Sequence, residues 1–116
     1  MRSFLFLMGR PPYAGLWAQE SLDHLLTVAA FDQTVRVLFL DDGVFQLLDA
    51  QRPRGRRSVA AQLQALALYD VDEVFAERES LQERGVSTKD LVLPARLVAR
   101  AEVPALLDAA DILIAC

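Results

Sequence analysis

Asp41 and Asp42 are the side chains of this sequence most suggestive of chemistry. They follow directly on the apolar run Val35, Val37, Leu38, Phe39 and Leu40, and Gly43 with the apolar Val44-Phe45-Gln46-Leu47-Leu48 comes next. The run is continuous rather than alternating, so it predicts a strand covered on both faces. Asp41-Asp42-Gly43 ends it with turn chemistry, and a short apolar helix follows. Covered strands belong to parallel sheets, whose ligands and partners gather at the strand carboxyl ends. That edge is the expected place of function.

Hard carboxylate oxygens suit Mg²⁺, and a receiver-like phosphoacceptor would use paired acids in this setting. It needs them after the first strand, a further Asp after the third and a Lys after the last. Here the first apolar run ends in Met8-Gly9-Arg10, the third strand ends near Glu77, and the only lysine, Lys89, precedes the fourth. The order is wrong, and the acid pair reads as turn and cap. His24, the only histidine, lies off the apolar face of its helix with Glu20 one turn before it, the pattern of a solvated surface residue. Arg52, Arg54, Arg56 and Arg57 form a basic loop with Pro53 and Gly55, suited to phosphates, to solvent or to an acidic partner. Cys116 is the single cysteine, which excludes an internal disulfide and a multi-cysteine metal site. At the chain end, beside a carboxylate, its thiol is disfavoured from ionising. The residues point to no catalytic group, cofactor or metal.

The elements that position these residues alternate. Phe4–Met8 is the first strand, stopped by Pro11-Pro12. Ala18, Leu22, Leu25, Leu26 and Ala29 share one face of a helix over 15–31. Val35–Leu40 is the second strand. Ser58 caps a helix with Val59, Leu63, Leu66, Ala67 and Tyr69 inward. The third strand falls within 71–77, a short helix over 79–84 closes at Gly85, and Leu91-Val92-Leu93 is the expected fourth strand. Pro104 opens a last helix, and Ile112–Ala115 is the fifth strand. The pattern predicts an α/β/α sandwich around a mainly parallel five-stranded sheet, in one domain over 1–116.

The chain has 116 residues, 53% of them hydrophobic, and a net charge of −4. No apolar run approaches the ~20 residues needed to cross a bilayer. The first apolar run is too short for a signal peptide, so a cytoplasmic protein is expected. The negative charge argues against direct nucleic-acid binding, and the apolar surplus suggests a subunit interface.

Asp42-Gly43-Val44-Phe45-Gln46-Leu47-Leu48, then Leu66-Ala67-Leu68-Tyr69-Asp70, then Ser80-Leu81-Gln82-Glu83-Arg84-Gly85, and the closing Ala110-Asp111-Ile112-Leu113 resemble the DsrE/DsrF-like sulfur-relay family, and within it the TusC (DsrF) branch. The resemblance covers nearly the whole chain. It implies a cytoplasmic heterohexamer with TusB-like and TusD-like subunits, passing persulfide sulfur toward 2-thiolation of the tRNA wobble uridine. Similar proteins of sulfur-oxidising bacteria serve dissimilatory sulfur metabolism. The resemblance places the family's sulfur-carrying cysteine eight positions before the helix-closing glycine, which is Glu77 here. A carboxylate cannot carry a persulfide, so a non-catalytic subunit is implied, with Asp42, Gly43, Val44, Phe45, Gln46 and Leu47 as interface candidates. The rival is a sulfur carrier that uses Cys116.

Overall fold

The computed structural model describes residues 3–10, 17–31, 33–48, 66, 71, 73–91 and 94–115. Five strands, β1 (Ser3–Met8), β2 (Thr34–Phe39), β3 (Glu73–Glu77), β4 (Arg96–Val98) and β5 (Ile112–Ala115), form one sheet in the order β4-β3-β2-β1-β5. Every pairing in it is parallel. Three α-helices are described: α1 (Trp17–Ala30), α2 (Arg78–Glu83) and α3 (Val103–Ala109). A 3₁₀ turn over Asp41–Leu47 follows β2.

The order explains the layers. From β1 to β4 each connection steps one strand in the same direction, and the last connection returns across the sheet to place β5 beside β1. Right-handed crossovers running in opposite directions lie on opposite faces. Accordingly Leu22 and Leu25 of α1, Leu81 of α2, Leu66, and Val44 and Leu47 of the 3₁₀ turn pack on a first face with Phe6, Val37, Phe39 and Ala76. Val103, Leu106 and Leu107 of α3 pack on the second face against Leu5, Leu38, Phe75 and Val98. β2 feeds both clusters, which is why its sequence does not alternate.

One expected strand is displaced. Leu91 forms only an isolated antiparallel bridge to Leu48, Val92 and Leu93 lie outside the described residues, and β4 is Arg96–Val98. At a sheet edge, partner strands and solvent share the side chains, so Arg96 and Leu97 are exposed and the strand carries little apolar signal. The expected basic loop over 51–57, Cys116 and the expected helix after Ser58, apart from the buried Leu66, lie outside the described residues. Among the described residues, no helix is long and apolar enough to cross a membrane.

Candidate functional site at the carboxyl edge of the sheet

Register brings Met8, Phe39 and Ala76 to the same level, with Glu77 one residue further on, opposite Val98. Two turns leave the sheet here. The first is built by apolar packing and close approach. Gly43, Val44, Gln46 and Leu47 are buried. A Cβ on Gly43 would stand 1.7 Å from the Met8 carbonyl oxygen, so only glycine lets the turn pass the end of β1. Gly43 N–H donates to the Leu40 carbonyl at 2.9 Å, Leu40 N–H donates to that of Met8 at 3.2 Å, and Gln46 Nε2 donates to that of Arg10 at 2.9 Å. Asp41 pays for the sharp entry with a left-handed backbone, φ 50°, a conformation Asp tolerates better than most residues.

The second turn is polar. Glu77 ends β3 in extended backbone, φ −72° and ψ 120°, and α2 begins at the next residue. Its side chain is 4% exposed. A carboxylate taken so far out of water requires partners, and Glu77 Oε1 has three donors: Ser80 Oγ at 2.5 Å, Arg100 Nη2 at 2.9 Å and Arg100 Nε at 3.1 Å. The Ser80 hydroxyl, one helical turn along, in turn accepts from Asp41 N–H at 2.8 Å, which ties the two turns together. Arg100 follows β4 and reaches back across the strand ends. Besides Glu77 it grips both oxygens of Glu83, at 2.9 and 3.2 Å, and its backbone N–H donates to Glu79 at 2.9 Å. Arg84 Nε donates to Asp42 at 3.0 Å.

These contacts set the charges. The Arg100 side chain, hydrogen-bonded to Glu83, holds that carboxyl below its usual range, and Arg84 adds to the effect. The Arg100 backbone N–H does the same for Glu79. The Arg100 guanidinium is pushed up by Glu83 and then Glu77, and that of Arg84 by Asp42. Oε1 of Glu77 is fully engaged by its three donors. The arrangement suits neither proton transfer to a ligand, since a general base must reach its substrate's proton, nor any sulfur chemistry at that position.

Of the six interface candidates, four are spent on the chain's own core. Asp42 remains exposed and Phe45 half-buried, so these two alone of the segment offer side-chain surface to a partner. His24 is exposed on α1, its ring in a T-shaped contact with that of Phe6, centroids 5.4 Å apart. Sequence reasoning missed Ser80, Arg84 and Arg100. Ser80 carried a signal, its i+3 spacing from Glu77; Arg100 carried none without the position of β4.

The family model described as DsrE/DsrF-like family matches residues 2–116. The chain belongs to the DsrE/DsrF-like family. Among relatives in this family, it is 39% identical over 94 residues to the intracellular sulfur oxidation protein DsrF of Allochromatium vinosum, covering 79% of this chain and 69% of that protein. It is 40% identical over 94 residues to a TusC homologue of Pseudomonas aeruginosa, covering 79% of each. With a TusC homologue of Vibrio parahaemolyticus the figures are 34% over 105 residues and 89% of each. The crystal structure of the YchN protein from E. coli superposes over 100% of both chains with a TM-score of 0.88 and 19% identity, which shows a shared fold.

Proposed function

We propose that this DsrE/DsrF-like chain is a non-catalytic subunit of a cytoplasmic, TusBCD-like sulfur-relay complex. It would stand with TusB-like and TusD-like subunits in a heterohexamer that passes persulfide sulfur toward 2-thiolation of the tRNA wobble uridine. The observation that carries this is Glu77. At the position where the resemblance places a sulfur-carrying cysteine, this chain holds a buried carboxylate bound by Ser80 and Arg100. Sulfur transfer needs a thiolate, and neither oxygen of Glu77 can replace it. The contribution left to the subunit is structural: to hold the carboxyl edge rigid for its partners.

Radiolabelled-sulfur transfer from a persulfide donor through the reconstituted complex tests the reading. Omitting this chain abolishes transfer, while Cys116→Ser leaves it within about a factor of two, a change worth no more than ~0.4 kcal/mol. A stoichiometric persulfide on Cys116, lost together with transfer in the Ser variant, refutes it in favour of a sulfur carrier. The similarity to DsrF, 39% identity against 40% and 34% for the two TusC homologues, favours a second reading, a subunit of dissimilatory sulfur oxidation. Loss of wobble-uridine thiolation on deleting the chain supports the first reading, and intact thiolation with impaired sulfur oxidation supports the second.

A further inference from the structure

Three hydrogen bonds meet at one point, the position of Glu77 Oε1. Ser80 Oγ stands 2.5 Å from it, Arg100 Nη2 2.9 Å and Arg100 Nε 3.1 Å. All three groups come to it as donors. A guanidinium has no acceptor to offer. The Ser80 hydroxyl accepts from the Asp41 N–H at 2.8 Å, so its own proton is the one directed at the carboxylate. A point faced by a permanent cation and a directed hydroxyl is matched to an anion.

None of these donors takes its position from Glu77. Arg100 is held from outside: Nη1 and Nη2 donate to the two oxygens of Glu83 at 3.2 and 2.9 Å, and the backbone N–H donates to Glu79 at 2.9 Å. Ser80 is carried by α2, and its hydroxyl is tied to the neighbouring turn by the Asp41 bond. What Glu77 contributes is the occupant. Without it, the Ser80 proton and the Arg100 Nε proton lose their only acceptor among the described residues. Buried donors left without an acceptor carry a penalty that a new acceptor relieves. The place can be reached from solvent, because the Arg100 side chain that borders it is 49% exposed.

We propose that Ser80 and Arg100 form a preorganised carboxylate-binding site, filled in this chain by its own residue 77, and that a free small carboxylate enters the site once that side chain is shortened. Glu77→Ala removes the atoms of one acetate ion, so acetate is the ligand of matching size and charge. Glu83 shares the charge of Arg100, which keeps the affinity of the emptied site modest, about 10 to 100 mM for so small a ligand. Selection for negative charge at the end of β3 is thus a property of the framework, and Glu77 is its resident rather than its maker. The proposal goes beyond the sulfur-relay reading and does not rest on it: sulfur transfer through a complex succeeds or fails whatever acetate does.

Urea unfolding of the full chain at neutral pH in sodium acetate, against sodium chloride and acetamide at equal concentrations, tests this. Chloride matches the ionic strength, and acetamide matches the shape without the charge. Acetate raises the unfolding midpoint of Glu77→Ala along a saturating curve, as a ligand bound only to the folded state must. It leaves wild type where chloride leaves it. Glu77→Gln, in which the site is still filled, shows no acetate effect either. Adding Ser80→Ala to Glu77→Ala weakens acetate binding about tenfold, the loss of one hydrogen bond to a charged group. If Glu77→Ala does not fold in plain buffer, acetate must fold it while chloride and acetamide leave it unfolded, as followed by circular dichroism. An acetate effect no larger than that of chloride or acetamide overturns the proposal. So does one equal in wild type and Glu77→Ala, or one that Ser80→Ala leaves unchanged.

Discussion

The turns after β2 and after β3 leave the same edge of the sheet side by side, and they are held by opposite means. The Asp41–Leu47 turn is anchored by burial: Gly43 against the Met8 carbonyl, Val44 and Leu47 in the core of the first face. The Glu77–Glu83 turn is anchored by charge, with one buried carboxylate at the centre and Arg100 gripping it from the next strand end. Apolar burial does not depend on the protonation of side chains. A polar network holds only while its members keep their charge and geometry. The comparison assigns rigidity to the first turn and condition-dependent locking to the second.

The largest expected effect breaks the first anchor. Gly43→Ala forces a Cβ into backbone that cannot yield as a flexible side chain would, and it destabilises the fold by about 3 kcal/mol or more, read from urea unfolding. Should Gly43→Ala unfold like wild type, the close approach at Met8 is not what holds the turn. Glu77→Ala comes next. It removes a buried anion and strands the Ser80 hydroxyl, but Arg100 is half exposed and keeps Glu83, so the loss is only about 2 kcal/mol. Glu77→Gln, of the same shape, loses less. Ser80→Ala deletes the hydroxyl that links the two turns and costs about 1 kcal/mol. If Ser80→Ala and Glu77→Ala are strictly additive in a double-mutant cycle, the network is not one unit.

The smallest effect is that of pH. Glu79 and Glu83 carry pKa values lowered by folding from the ordinary 4.5. Their stabilisation is therefore complete above about 4.5 and is lost as pH falls through the folded values, because the unfolded chain then binds more protons. Unfolding midpoints measured from pH 6 to 3 fall in this window, and Glu83→Gln flattens the fall. Gly43→Ala, by contrast, lowers the midpoints without changing their slope against pH. Salt weakens the exposed Arg84–Asp42 pair, whose loss in Asp42→Ala changes stability by less than about 1 kcal/mol.

The first turn was legible because its cues are local. An apolar run, two acids, a glycine and an apolar run again lie in one stretch of chain, and the structure places a turn there, though as a 3₁₀ turn that begins at Asp41 itself, with Leu40 at its N-cap and no side-chain cap from either acid. The same holds for α2, closed by Gly85 at φ 66°, and for α3, with proline in its first turn. β4 was misplaced because apolar content was the only guide: Leu91-Val92-Leu93 is greasier than Arg96-Leu97-Val98, yet at an edge register rather than hydrophobicity decides the strand. That error concealed Arg100, whose role depends on sitting just past the end of β4.

By itself the sequence determined the α/β alternation, the covered central strands and the turn after the second strand, since periodicity, turn residues and side-chain chemistry act over a few positions at a time. Only the tertiary structure decided the strand order, the division of the described helices between the two faces, and the meeting of Asp41, Glu77, Ser80 and Arg100. The last of these is an encounter between three loops far apart in the chain. No local propensity encodes it; parallel pairing in a single register brings the strand ends to one edge, and the burial of one carboxylate there requires the partners that the neighbouring loops supply.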